Sequence, residues 1–155
     1  MLKALIELLS LPQTPPAEAD TEHALRLATG VLLVEVMRAD NDIHDDERTM
    51  AGRALQETFA LSDAEVAQLL DSALEASREA YDLHRFTSEI NRHCNREQRI
   101  RIIEHLWRVV WADGALSAHE NHLMRRLADL LHVSHADYVN VKTLAKQSAK
   151  TQLSQ

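Results

Sequence analysis

A ten-residue pattern occurs twice in this chain, 73 residues apart. "RADNDIHDDE" runs from Arg38 to Glu47 and "WADGALSAHE" from Trp111 to Glu120. Aligned, they pair Ala39 with Ala112, Asp40 with Asp113, Asn41 with Gly114, Ile43 with Leu116, and Glu47 with Glu120. The surroundings repeat too. Helix, acidic loop, helix and capped helix occur at about 20–79 and again at about 95–147. The offset becomes 72 where "FALS" (59–62) meets "LHVS" (131–134), so the second copy is one residue shorter in its middle helix. Two copies of a unit predict a pseudo-symmetric bundle. A solenoid needs three or more.

Each copy reads as helical. Ala24, Leu25, Ala28, Val31, Leu32, Val36 and Met37 recur at three- and four-residue spacing over about 20–39. Met50, Ala54, Leu55 and Phe59 mark a helix from near His44. Val66, Leu69, Leu70, Ala73 and Leu74 follow the capping box Ser62–Glu65. Asp82 starts a helix with Leu83, Phe86 and Ile90 inward. Asn95 and Gln98 cap the most apolar helix, with Ile100, Ile102, Ile103, Leu106, Trp107, Val109 and Val110. Ser117 and Glu120 form a further box before Leu123, Met124, Leu127, Leu130 and Leu131. Ser134 caps a last helix with Tyr138, Val141 and Leu144. Only three Gly and three Pro interrupt the chain, and no alternating strand pattern survives. The expectation is a single-domain, all-α bundle of about seven to eight helices built from two similar halves.

The ends are read separately. In "MLKALIELLSLP", Leu2, Leu5, Ile6, Leu8 and Leu9 form one helical stripe, and Pro12, Pro15 and Pro16 make a spacer. Residues 1–16 are therefore taken as an N-terminal helix and spacer that docks on the domain, with contact to a membrane surface or a partner helix as alternatives. Glu7 breaks the apolar run and no cleavage site follows, so a signal peptide is not expected. No stretch approaches the roughly 20 apolar residues of a membrane span, and a cytoplasmic location is expected. Residues 17–147 are the helical domain. Residues 148–155 are expected to fray.

The acidic loops have two readings. In the first they are well-made corners: Asn41 and Gly114 accept the left-handed conformation just past a helix end, Ile43 and Leu116 plug the turn, and Glu47 and Glu120 stand where a capping-box Glu belongs. The second starts from a cost. A carboxylate at a helix C-terminus faces the negative end of the macrodipole, and Asp40 and Asp113 both do so. N–H groups of the next helix or a cation would offset it. Hard cations take several oxygens, and Asp40, Asp42, Asp45, Asp46 and Glu47 supply them on one side, Asp113 and Glu120 on the other. The candidate metal ligands are Asp40, Asp42, Glu47, Asp113 and Glu120, with calcium or magnesium ahead of zinc. The spacing from Asp40 to Glu47 is seven residues, so this is no EF-hand.

Other chemistry is thinner. His119 and His122, and His132 and His135, lack a third zinc ligand, and "HENH" is not the zinc-protease pattern. Cys94 reads as a small hydrophobe, with no disulfide framework available. No phosphate loop or nucleophile elbow occurs. Asp40 and Asp113 facing across a cleft would make a carboxylate-based hydrolase; the chain is otherwise expected not to be an enzyme. The net charge of −7 argues against nucleic acid.

The duplicated motifs resemble the tellurite-resistance TerB-like family over roughly 24–141. "VVWADGALSAHENHLMRRLADLL" is the more specific match, close to that family's "ADG…E" pattern; the first copy departs at Asn41. The resemblance implies an all-helical fold of two similar halves and an acidic surface suited to metal, carried by Asp40, Glu47, Asp113 and Glu120. It also implies a stress-response role and protein partners, membrane-associated complexes among them. The resulting reading is a protein that binds a divalent cation, a partner protein or both through its acidic corners. The alternative is a metal-free adaptor that holds a partner helix in a groove between the halves.

Overall fold

A computed structural model of the chain describes the backbone of residues 16–39, 43, 45–79, 82–113 and 116–153, and the side chains of 21–39, 43, 45–79, 82–112 and 116–151. Among these residues there are seven α-helices, one 3-10 turn and no strand. They are α1 (Pro16–Arg38), α2 (Asp45–Phe59), α3 (Asp63–Glu79), α4 (His84–His93), α5 (Arg96–Val110), the turn Trp111–Asp113, α6 (Ala118–Leu130) and α7 (His135–Leu153). The helix expected around residues 2–9 lies outside the described residues.

Helix starts follow local chemistry. Ser62 and Glu65 exchange bonds: the Ser62 N–H donates to Glu65 Oε1 at 3.0 Å and the Glu65 N–H to Ser62 Oγ at 3.2 Å. Asn95 with Gln98 and Ser117 with Glu120 close the same box. Ser134 Oγ accepts from the Asp137 N–H at 3.2 Å, and Asp82 Oδ1 accepts from the His84 N–H at 2.9 Å. Each carboxamide, hydroxyl or carboxylate satisfies a donor that the helix itself leaves open.

Helix α1 starts at Pro16, four residues before the expected Asp20. A proline at the first helical position loses nothing, because the N–H it lacks would have no intrahelical partner. The last helix continues to Leu153, past the expected end of the helical domain at residue 147. Ala145 and Ala149 still give this stretch a core-facing side. Leu144 is corrected, at 48% exposed. The inward face of α7 is Tyr138, Val141 and Ala145, and Leu144 lies about 100° round from Ala145.

Packing follows the same order in each copy. Helix α1 packs chiefly on α3, and α5 chiefly on α7; α1 also packs on α4 and α5. The core is continuous and includes Val31, Leu32, Leu33, Leu55, Ile103, Leu106, Trp107 and Leu127. Helix α1 crosses α3 closely at Gly30, where a Cβ would stand 3.1 Å from the Ala73 Cβ. At the α5–α7 contact the space is filled by aromatics. Trp107 stacks on Trp111 with centroids 5.9 Å apart, and Tyr138 tilts against Trp107 at 5.6 Å.

Two non-glycine residues have positive φ among the described residues: Ala60 at 54° and His132 at 56°. They are the second residues of "FALS" and "LHVS". Each ends the middle helix of its copy in the left-handed conformation. After each comes a buried plug, Leu61 or Val133, and then the capping serine, Ser62 or Ser134. After α6 the Val133 N–H returns to the Ala128 carbonyl at 2.9 Å, as a Schellman-type end requires.

Candidate functional site

The acidic corners place their glutamates inward. Glu47 is the third residue of α2 and Glu120 the third of α6. Both are buried, at 0% and 2% exposed. Glu120 Oε1 accepts from the Ser117 N–H at 2.9 Å, while the Glu120 N–H donates to Ser117 Oγ at 3.1 Å. Glu120 thus works as a joint. Asp45 and Asp46 point outward from the first turn of α2, where the positive end of the helix favours them. Asp40 and Asp42 lie outside the described residues. Asp113 closes the 3-10 turn, which packs on α2 and α7; its side chain is outside the described set. Among the described residues no group of three or more His, Cys, Asp or Glu is placed to hold a metal ion. The paired histidines His119, His122, His132 and His135 are all exposed.

A different site stands between the copies. A cleft of about 800 Å³ is walled by α1, the end of α2, the α4–α5 junction and α5. Its floor is apolar: Leu25, Phe59, Cys94 and Ile102, all buried or half-buried. Its rim is exposed and acidic, with Glu22, Glu57 and Glu97 against Arg101. Arg26 ties part of that rim together. Its guanidinium pairs with Glu22 at 3.1 Å and stands 5.9 Å from the Phe59 ring centroid. Burial raises the pKa of the Cys94 thiol, so it stays protonated near neutrality.

His105 forms a wall shared by this cleft and a smaller one of about 270 Å³, which Arg53, Arg108 and Trp111 also line. It is 6% exposed. Burial first, and the Arg108 charge second, lower its pKa, so the ring is neutral at pH 7. Glu57 lines both clefts and pairs with Arg108 at 3.6 Å, linking α2 to α5.

Motif reading does not find this cleft, because it belongs to helix crossings and not to any one segment. One signal was present. His105 interrupts the apolar face of α5, and the residue 73 positions earlier is Leu32. A polar side chain where the other copy keeps a hydrophobe marks a place where the two halves diverge.

A family model described as "Tellurite resistance protein TerB" matches residues 26–143. No curated protein and no solved structure matches the chain.

Proposed function

The chain belongs to the TerB tellurite-resistance family, and from that premise we propose that it is a non-catalytic binding protein whose receptor is the cleft between its two copies. The observation that carries this reading is the cleft itself: an apolar floor with an acidic rim, walled by helices of both copies. The occupant that suits it is an amphipathic helix of a partner protein. Apolar side chains at three- and four-residue spacing would enter over Leu25, Phe59 and Ile102. Lys or Arg on its flank would face Glu22, Glu57 and Glu97. The wall from Thr21 to Thr29 offers about 12 Å, or two helical turns. No described helix is long and apolar enough to cross a membrane.

Selection of a displayed helical-peptide library on the protein tests this. Enrichment of amphipathic sequences with basic flanks, lost when Phe59→Glu is the target, supports the reading. Equal enrichment on both proteins overturns it.

A divalent cation at the corners is the second reading, favoured by Asp45 and Asp46 facing outward beside two inward glutamates at matching positions. It predicts a rise in Tm with Ca²⁺ or Mg²⁺ that disappears in Asp40→Asn/Asp113→Asn. At 100 times Kd, a bound ion adds about 2.7 kcal/mol. A melting curve that no divalent ion moves ends this reading and leaves the cleft untouched.

A further inference from the structure

The smaller cleft beside His105 lies where the two copies carry opposite chemistry. In the first copy three polar residues close on one another. The Arg38 guanidinium donates to Ser77 Oγ at 3.0 Å, and the Ser77 hydroxyl donates to the Glu35 carboxylate. Their counterparts in the second copy are Trp111 and Arg108, 73 positions on, and Ala149, 72 positions on. An indole replaces the guanidinium, an arginine the acid and an alanine the hydroxyl. The acceptors are gone and the donors remain. All three replacements line the cleft of about 270 Å³.

Donors are therefore in surplus there. Trp111 is 6% exposed, and its Nε1–H has no hydrogen-bond partner among the described residues. The buried Nε–H of Arg108 has none either. Burying a donor unpaired is costly. The one carboxylate on the lining, Glu57, is already held by Arg108 at 3.6 Å. Arg53 adds a guanidinium at the exposed rim, and Met50, Ala54, Ala145 and Ala149 make the rest of the wall apolar.

We propose that this cleft binds a small organic carboxylate of about nine non-hydrogen atoms, the number of water volumes that 270 Å³ holds. A carboxylate only accepts hydrogen bonds, so it supplies what the second copy lost. Its oxygens take the Trp111 and Arg108 N–H groups and the Arg53 guanidinium; its apolar body lies on Met50, Ala145 and Ala149. An inorganic oxyanion would serve the donors and leave that wall uncovered. The site is distinct from the helix receptor, and either stands if the other fails.

The indole N–H groups supply the readout. A proton–nitrogen correlation spectrum of the full-length protein holds one indole signal for Trp111 and one for Trp107, which lines neither cleft. Trp111→Phe assigns them. Titration with benzoate, which fits the volume, should move the Trp111 signal downfield to saturation and displace the Trp107 signal far less. Arg53→Gln, at an exposed position, should weaken the fitted Kd at least about tenfold, the share of one charge-assisted bond. Ala149→Leu, which fills the cleft, should abolish the shift with far-UV circular dichroism unchanged. If that variant does not fold, Arg53→Gln alone decides. A Trp111 signal that benzoate does not move overturns the proposal. So does one that phosphate or sulfate moves equally well, or a Kd that Arg53→Gln leaves as it was.

Discussion

The two copies share an order of helices and differ in how they are held together. In the first, α1 and α3 meet almost backbone to backbone, with Gly30 against Ala73. In the second, Ile103 stands at the Gly30 position, Trp107 at the Val34 position and Tyr138 at the Val66 position, and the contact is filled by rings. Leu70 and Leu74 of the first copy correspond to Lys142 and Lys146, whose ammonium groups stand 5.1 and 5.2 Å from the ring centroids of Trp107 and Trp111. Charge divides the same way. Residues 1–82 hold six Lys and Arg against seventeen Asp and Glu; residues 83–155 hold eleven against seven. A common topology therefore tolerates a close, small-residue contact and a wide aromatic one, provided each interface is filled. The opposite charge balance adds long-range attraction between copies, with Glu57–Arg108 as one direct link.

The comparison breaks most visibly at the rings. Trp107→Ala should cost about 3–5 kcal/mol, read as a fall in the urea midpoint, because Trp107 is fully buried with partners on both faces. A loss below 1 kcal/mol would mean that the aromatic contact is not what holds α5 to α7. Gly30→Ile, which writes the second copy's residue into the first, should cost about 2–3 kcal/mol by overpacking. Ala73→Gly in the same chain should recover part of that, because the clash is with the Ala73 Cβ at 3.1 Å.

Smaller effects sharpen the comparison. Ala60→Gly and His132→Gly should each stabilise by about 1 kcal/mol, and by similar amounts, because both relieve the same left-handed strain. A gain at one position only would show that the matching φ values hide different environments. His105→Leu, which copies Leu32, should leave stability at pH 8 nearly unchanged and flatten its acid limb. The folded pKa of His105 is lowered, so below about 6.5 the unfolded chain takes up the proton first. Stability contributed by the neutral ring is present above that pH and lost as pH falls. A thermal-melt series from pH 8 to pH 5 that is parallel for both proteins would remove His105 as the cause.

What was legible in the sequence is what local chemistry decides. Ser62 with Glu65, Asn95 with Gln98 and Ser117 with Glu120 announce helix starts within four residues, and the bonds are where the spacing put them. The repeat announced its own length change, since "FALS" and "LHVS" carry the paired left-handed residues. The cleft was not legible, because Leu25, Phe59, Cys94 and Ile102 come from separate segments and meet only through crossing geometry. The extent of α7 was missed because its buried side continues in alanines, which carry little hydrophobic signal. Glu120 was read as a box residue and its bonds to Ser117 are there; Glu47 holds the matching position in α2 and is buried as Glu120 is.

The chain has two tryptophans, Trp107 and Trp111, and both lie in the second copy. Their near-parallel indoles sit beneath lysine side chains in the interior. Tryptophan fluorescence therefore watches the second half directly and senses the first only through α1 and α2, which pack against α5 and the Trp111 turn, so a partly melted state with α3 alone detached would still glow as native.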